Sequence, residues 1–116
     1  MSGVPYRVEK PWGYELIWAV TDRYVGKLLH VRVGHGLSCQ YHRRKDETMH
    51  VLRGEIRLRS GTESELTERI LRAGESIHIP PGMVHEVEAL TDSDILEAST
   101  PELDDLVRLR DRYGRS

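Results

Sequence analysis

The chain has 116 residues, 38% hydrophobic and 31% charged, with a formal net charge of −2. That length suits one domain over residues 1–116, and a chain of this size buries roughly two-thirds of its unfolded surface in one core. The near-neutral balance offers no basic excess for a nucleic-acid or membrane partner, and the one cysteine, Cys39, excludes an internal disulfide and fits a reducing compartment. The first twenty residues lack the apolar core of a signal peptide, and no apolar run approaches the roughly 20 residues of a membrane span, so a cytoplasmic protein is expected.

Along the chain, helical periodicity is weak, and short alternating segments are separated by Gly, Pro, Asp and Ser. Residues 14–20 read as a strand, with Trp12 and Tyr14 packing the amino-terminal arm. Residues 27–33 place Lys27, Leu29, Val31 and Val33 on one face and Leu28, His30 and Arg32 on the other. Further strands are expected at 47–52, 55–59, 69–71, 76–79, 85–90 and 94–98, with a polar loop at 61–65. Many short strands at regular spacing argue for a sandwich or barrel. Thr100 followed by Pro101 reads as an N-cap and first helical residue, predicting one helical turn and then an extended segment.

Strand parity singles out four polar residues. Gln40 and His42 project the same way, and Glu47 shares its face with Met49 and Val51, so this carboxylate points inward. An inward carboxylate is costly unless paired or bound to a cation. His85 follows the Pro81-Gly82 turn and shares its face with Val87 and Ala89, opposite Glu86 and Glu88. Each alone reads as a packed side chain; four that converge from the same side read as a metal site. Two imidazoles, a carboxylate and an amide oxygen suit one divalent ion, zinc first, with manganese, iron, cobalt and nickel also open.

The same residues carry a resemblance to the cupin superfamily. Gly34, Gln40-Tyr41-His42, Glu47 and Gly54 keep the spacing of its first motif, with glutamine in place of the first histidine. Gly74, Pro80-Pro81-Gly82 and His85 match the second, with Ala89 where asparagine is usual. Further runs, EKPWGYE, LSCQYH, IPPGMVHEVEA and DDLVRLRDRYGR, resemble the cupin domain of type II mannose-6-phosphate isomerases. That family has a His-rich run after the first ligand histidine and EHW at the glutamate; here Arg44 and Thr48 depart from it. The resemblance implies an all-β double-stranded β-helix (jelly-roll barrel), metal ligands Gln40, His42, Glu47 and His85, and isomerisation of a sugar or sugar phosphate between aldose and ketose.

Such a reaction needs a base beside the carbon that loses its proton. Lys27, on an otherwise apolar face, is the first candidate for an added functional group, with snorkelling at the strand end as the alternative. Glu97 is the second; it shares a face with Ile95 and Ser99 while Leu96 and Ala98 hold the other, so parity does not decide its side. His30, His50 and His78 fall on faces opposite the inward residues and His35 lies in a turn, so packing or subunit contacts are expected of them. Arg43, Arg44 and Lys45 are expected as solvated loop charges that could attract a phosphate, and the arginines at 108, 110, 112 and 115 are read alike. Apolar residues on outward faces, Leu28 and Leu52 among them, point to a homodimer. The alternatives are a non-catalytic sugar- or metabolite-binding cupin and an iron-dependent dioxygenase with the same ligands.

Overall fold

Period-2 alternation sorts this chain into two facing sheets. The computed structural model describes residues 3–102 and 104–115, which form eleven strands: β1 (Tyr6–Lys10), β2 (Gly13–Val20), β3 (Val25–Val31), β4 (Cys39–Tyr41), β5 (Glu47–Arg53), β6 (Glu55–Gly61), β7 (Leu66–Arg72), β8 (Ser76–Ile79), β9 (Val84–Ala89), β10 (Ser93–Ser99) and β11 (Val107–Arg110). Six form one sheet in the order β1-β2-β3-β10-β5-β8, and five form the other in the order β11-β4-β9-β6-β7. All pairings are antiparallel. The chain passes between the sheets repeatedly, at β3–β4, β4–β5, β5–β6, β7–β8, β8–β9, β9–β10 and β10–β11, the antiparallel double-sheet arrangement of a jelly roll.

The β5–β6 crossing depends on Gly54, whose φ is +92° and whose missing Cβ would lie 2.4 Å from Ser93 Oγ. A side chain there would meet both a left-handed backbone and a wall. The inner faces supply the core: Leu29, Val31, Met49, Val51 and Ile95 from one sheet pack on Ile56, Leu58, Leu71, Val87 and Ala89 from the other. Fully burying each of the larger side chains contributes about 1.5–3 kcal/mol.

The two outer faces differ in kind. On the five-stranded sheet, Arg57 and Arg59 pair with Glu68, Glu86 and Glu88 in a cross-strand ladder. On the six-stranded sheet, Leu16, Leu28 and Leu96 stand side by side in one register row. A register shift in β2 leaves Trp18 half exposed over Gly26, where an added Cβ would come within 2.6 Å of the indole.

The all-β sandwich agrees with the sequence expectation, and three details correct it. No helix occurs among the described residues near Thr100: its backbone N–H and hydroxyl both face Asp46, so it does not cap a helix. The expected extended segment after it is β11. The strand starting at 25 ends at Val31, so Val33 is exposed in a turn and does not share the inward face. The half-exposed edge strand β1 went unforeseen, and the strand that carries Gln40 ends at Tyr41, one residue before His42.

Candidate metal centre

Two sheets meet this site at one end of the sandwich. Gln40 lies in β4 and pairs in register with His85 of β9, His42 follows β4 directly, and Glu47 opens β5 in the facing sheet. Glu47 Oε2 lies 3.4 Å from His42 Nε2, and Glu47 Oε1 lies 3.6 Å from His85 Nε2. Ligand-competent atoms of these three residues all lie within 4.8 Å of one another, close enough to hold one metal ion. Glu47 is 2% and His85 1% exposed.

Backbone carbonyls fix both imidazoles. His42 donates from Nδ1 to the Asp105 carbonyl at 2.5 Å, and His85 donates from Nδ1 to the Met83 carbonyl at 3.1 Å. Each Nε2 is thereby left as an unprotonated acceptor facing Glu47, and a carbonyl held on the far nitrogen in this way prepares a histidine for metal ligation. His42 Nε2 and Glu47 Oε1 are buried with no hydrogen-bond partner, and Glu47 Oε2 has only the ion pair to Lys45, a costly state that a metal ion relieves. Burial pushes the His85 pKa down to about 4 and also lowers that of His42. Gln40 lies beside them: its Nε2 is 3.5 Å from His85 Nε2, and its Oε1 accepts from Ser38 Oγ at 2.5 Å. Turning this amide over aims its oxygen at the site and leaves the Ser38 hydroxyl an N–H to accept. The donor set therefore fits a divalent ion.

Next to these donors runs a chain of buried charge. Lys45 Nζ sits 3.0 Å from Glu47 Oε2 and 3.1 Å from Glu97 Oε2, and Lys27 Nζ sits 3.4 Å from Glu15 Oε1. Lys27 and Glu97 are cross-strand partners on the inner face, so both sequence candidates point into the sandwich. Burial lowers the Lys45 pKa, but Glu97 and Glu47 more than offset that and hold it above its ordinary value. Burial and the Glu97 charge push Glu47 up to about 7 against the pull of Lys45. Burial likewise raises Glu97, yet Lys45 and Lys27 outweigh it and hold this carboxyl below its ordinary value. With Glu47 ionised, as metal binding requires, three carboxylates face two ammoniums here, a single negative charge in excess that a divalent ion would turn positive.

A cavity of about 280 Å³ opens above this floor. Lys27, Gln40, His42, Lys45 and Glu97 line it, and Lys10, Arg108 and Arg115 reach it from the two chain ends. Lys45 was expected as a solvated loop charge and is instead buried. The signal lay in parity, because it stands two residues before inward Glu47. Glu15 and Asp105 also belong to the site surroundings and were not singled out. Asp105 accepts backbone N–H groups from Arg43, Arg44 and Lys45, which bring its carboxyl down to about 2.

The remaining histidines lie elsewhere: His30 on Asp94, His35 on Tyr113, His50 on Ser76 and His78 on Asp46. Cys39 is buried, with Arg110 donating to its sulfur, and burial raises its pKa. No helix among the described residues is long and apolar enough to cross a membrane.

This architecture recurs among solved structures. KdgF from Halomonas sp. superposes with a TM-score of 0.74 at 22% identity, covering 90% of this chain and 94% of that one. Oxalate decarboxylase from Bacillus subtilis gives 0.77 at 14% identity, covering 91% of this chain and 30% of that one. At such identities the likeness concerns the fold. In sequence, the chain is 39% identical over 114 residues to mannose-1-phosphate guanylyltransferase ManC of Salmonella typhimurium, and 38% identical over 114 residues to the mannose-1-phosphate guanylyltransferase of Escherichia coli K12. Those alignments cover 93% of this chain but 23% of each relative, so the chain spans less than a quarter of their length. Residues 27–98, from Lys27 through Ala98, match the family model Cupin_2, described as the cupin domain, and the chain belongs to that family.

Proposed function

We propose that this cupin holds one divalent ion, zinc first, through Gln40, His42, Glu47 and His85, and isomerises a sugar phosphate between aldose and ketose. The observation that carries the reading is the juxtaposition, beside one cavity, of the buried metal-competent cluster His42, Glu47 and His85 with the buried Lys45–Glu97–Lys27 array. The sequence relatives, named as mannose-1-phosphate guanylyltransferases, support the sugar-phosphate class. When bound, the ion polarises the substrate's carbonyl and hydroxyl oxygens.

The protein's own residues do the rest. Glu97, kept ionised by Lys45 and Lys27, takes the proton from the carbon beside the carbonyl and returns it to the neighbouring carbon. Lys27 steadies the oxygens between which the second proton shifts. Lys10, Arg108 and Arg115 at the rim receive the anionic end. The cavity walls keep bulk water from the exchanging proton.

An anaerobic panel of aldose phosphates, with no redox cosubstrate, tests the activity: an isomerase turns over, a dioxygenase requires oxygen, and a binding protein does neither. Lys27→Met then tests the assignment. Turnover should fall about tenfold or more, the loss expected for a charge-assisted contact, with metal content near that of the parent and turnover compared at a temperature where both proteins are folded. A variant matching the parent on the best substrate removes Lys27 from the mechanism, and no turnover on the whole panel overturns the isomerase reading.

A further inference from the structure

The segment between His42 and Glu47 joins two of the proposed ligands, and its backbone is held from outside by one side chain. The Asp105 carboxylate accepts from Arg43 N at 3.0 Å through Oδ1, and from Arg44 N at 2.5 Å and Lys45 N at 2.9 Å through Oδ2. Three successive N–H groups converging on one anion form a nest, which fixes all three peptides at once. The carbonyl of the same residue accepts the His42 Nδ1–H. Asp105 thus grips the loop with its side chain and a ligand ring with its backbone. The next N–H, that of Asp46, goes to Thr100 Oγ1 at 3.0 Å, so the loop is tethered along its length to the carboxy-terminal arm. Beyond Asp105 the arm pairs with β4 through the short strand β11.

We infer that Asp105 is the positioning residue of this centre, orienting His42 and seating Lys45 so that the ligand set is preorganised, while touching neither metal nor substrate. Releasing its carboxylate frees the 43–45 backbone and shifts the carbonyl that orients His42. The ring then samples the Nε2–H tautomer, in which the nitrogen facing Glu47 can no longer bind a metal. The same release lets Lys45 leave its place between Glu47 and Glu97. The inference rests on the metal-centre part of the proposed function and not on isomerase chemistry.

The test compares the full chain with Asp105→Ala, Asp105→Asn and Tyr113→Phe. The asparagine variant keeps the shape and one acceptor oxygen, should the alanine variant fail to fold. Tyr113→Phe loosens the same arm elsewhere, where the hydroxyl meets His35 and Gly36, without touching the 43–45 loop. Zinc affinity is read by competition with a chromophoric chelator, and the His42 tautomer by long-range proton–nitrogen NMR on metal-free protein. Asp105→Ala should weaken zinc binding about 10- to 100-fold, as for loss of an outer-shell partner, and give mixed His42 tautomers. Asp105→Asn should fall between, and Tyr113→Phe should stay within about twofold of the parent on the same outer-shell scale. Parent-like affinity and tautomer in both Asp105 variants overturn the inference, as does an equal loss in Tyr113→Phe. A parent that takes up no zinc overturns the metal centre and the affinity claim with it. The tautomer readout then still decides whether Asp105 orients His42.

Discussion

Lys45→Met keeps most of the buried stem and removes the ammonium that Glu47 and Glu97 share. At 3.0–3.1 Å and an effective dielectric of about 20, each contact carries about 5 kcal/mol of gross attraction, most of it offset by the cost of burying the ions. The deletion is costlier than that net value suggests, because it strands a buried carboxylate. Breaking a buried pair in this way costs about 3–5 kcal/mol, and the nearby Lys27 places Glu97 at the lower end, about 3 kcal/mol. For a chain of this size that corresponds to a melting temperature lower by about 10–15 °C. Glu97→Gln in the Lys45→Met background removes the stranded charge and should restore about 1.5 kcal/mol or more relative to the sum of the single changes. Urea unfolding of metal-free protein, read as midpoint shifts at unchanged slope, measures the cycle. Additivity within about 0.5 kcal/mol would refute the account, since two residues at this distance with no coupling cannot be holding each other's charge.

His85→Ala should bring metal content after reconstitution well below that of the parent while circular dichroism still reports the sandwich; elemental analysis showing full occupancy would remove His85 from the ligand set. Metal uptake should also release a proton. Metal-free Glu47 keeps its proton up to about pH 7, above the ordinary carboxylate range, while a metal needs the ionised form. Zinc binding near pH 6 should therefore expel close to one proton, affinity should rise with pH through about 7, and the release should vanish well above it. His85, pushed down to about 4, is already neutral there and contributes none. Titration calorimetry giving the same apparent enthalpy at pH 6 in two buffers of different ionisation enthalpy would count against this. Finally, the apolar row Leu16, Leu28 and Leu96 is proposed as the face of a homodimer, so light scattering should report twice the 13.4 kDa chain mass, and Leu28→Glu should return it to a monomer. A parent already monomeric at micromolar concentration contradicts the dimer.

What could be read from the sequence, and what could not, divides along a physical line. Glu47 and His85 were placed inward because each stands in a strand whose alternate residues are apolar, and alternation is a local property. Glu97 could not be placed that way. Its strand is apolar on both faces, Ile95 toward the core and Leu96 toward the outer row with Leu16 and Leu28, so the sheet's uncovered apolar face erased the contrast. The helical turn expected at Thr100 failed for a related reason. Thr100 is committed to Asp46 and Asp105 to the 43–45 backbone, contacts more than fifty residues away that no local propensity registers.

Lys45 is the instructive case. As one of three consecutive cations in a loop it has the look of a solvated charge, and its burial depends on Glu97, fifty-two residues further on. Yet it precedes an inward glutamate by two positions. Where the backbone stays extended, that spacing puts both side chains on one face, and an inward carboxylate already demands a cation there. A lysine at this position has a reason to fold inward that its neighbours Arg43 and Arg44 lack, and both of those are exposed. Parity extended back from Glu47, combined with the cost of burying a lone carboxylate, therefore selects Lys45 from the basic run before its partner Glu97 is known.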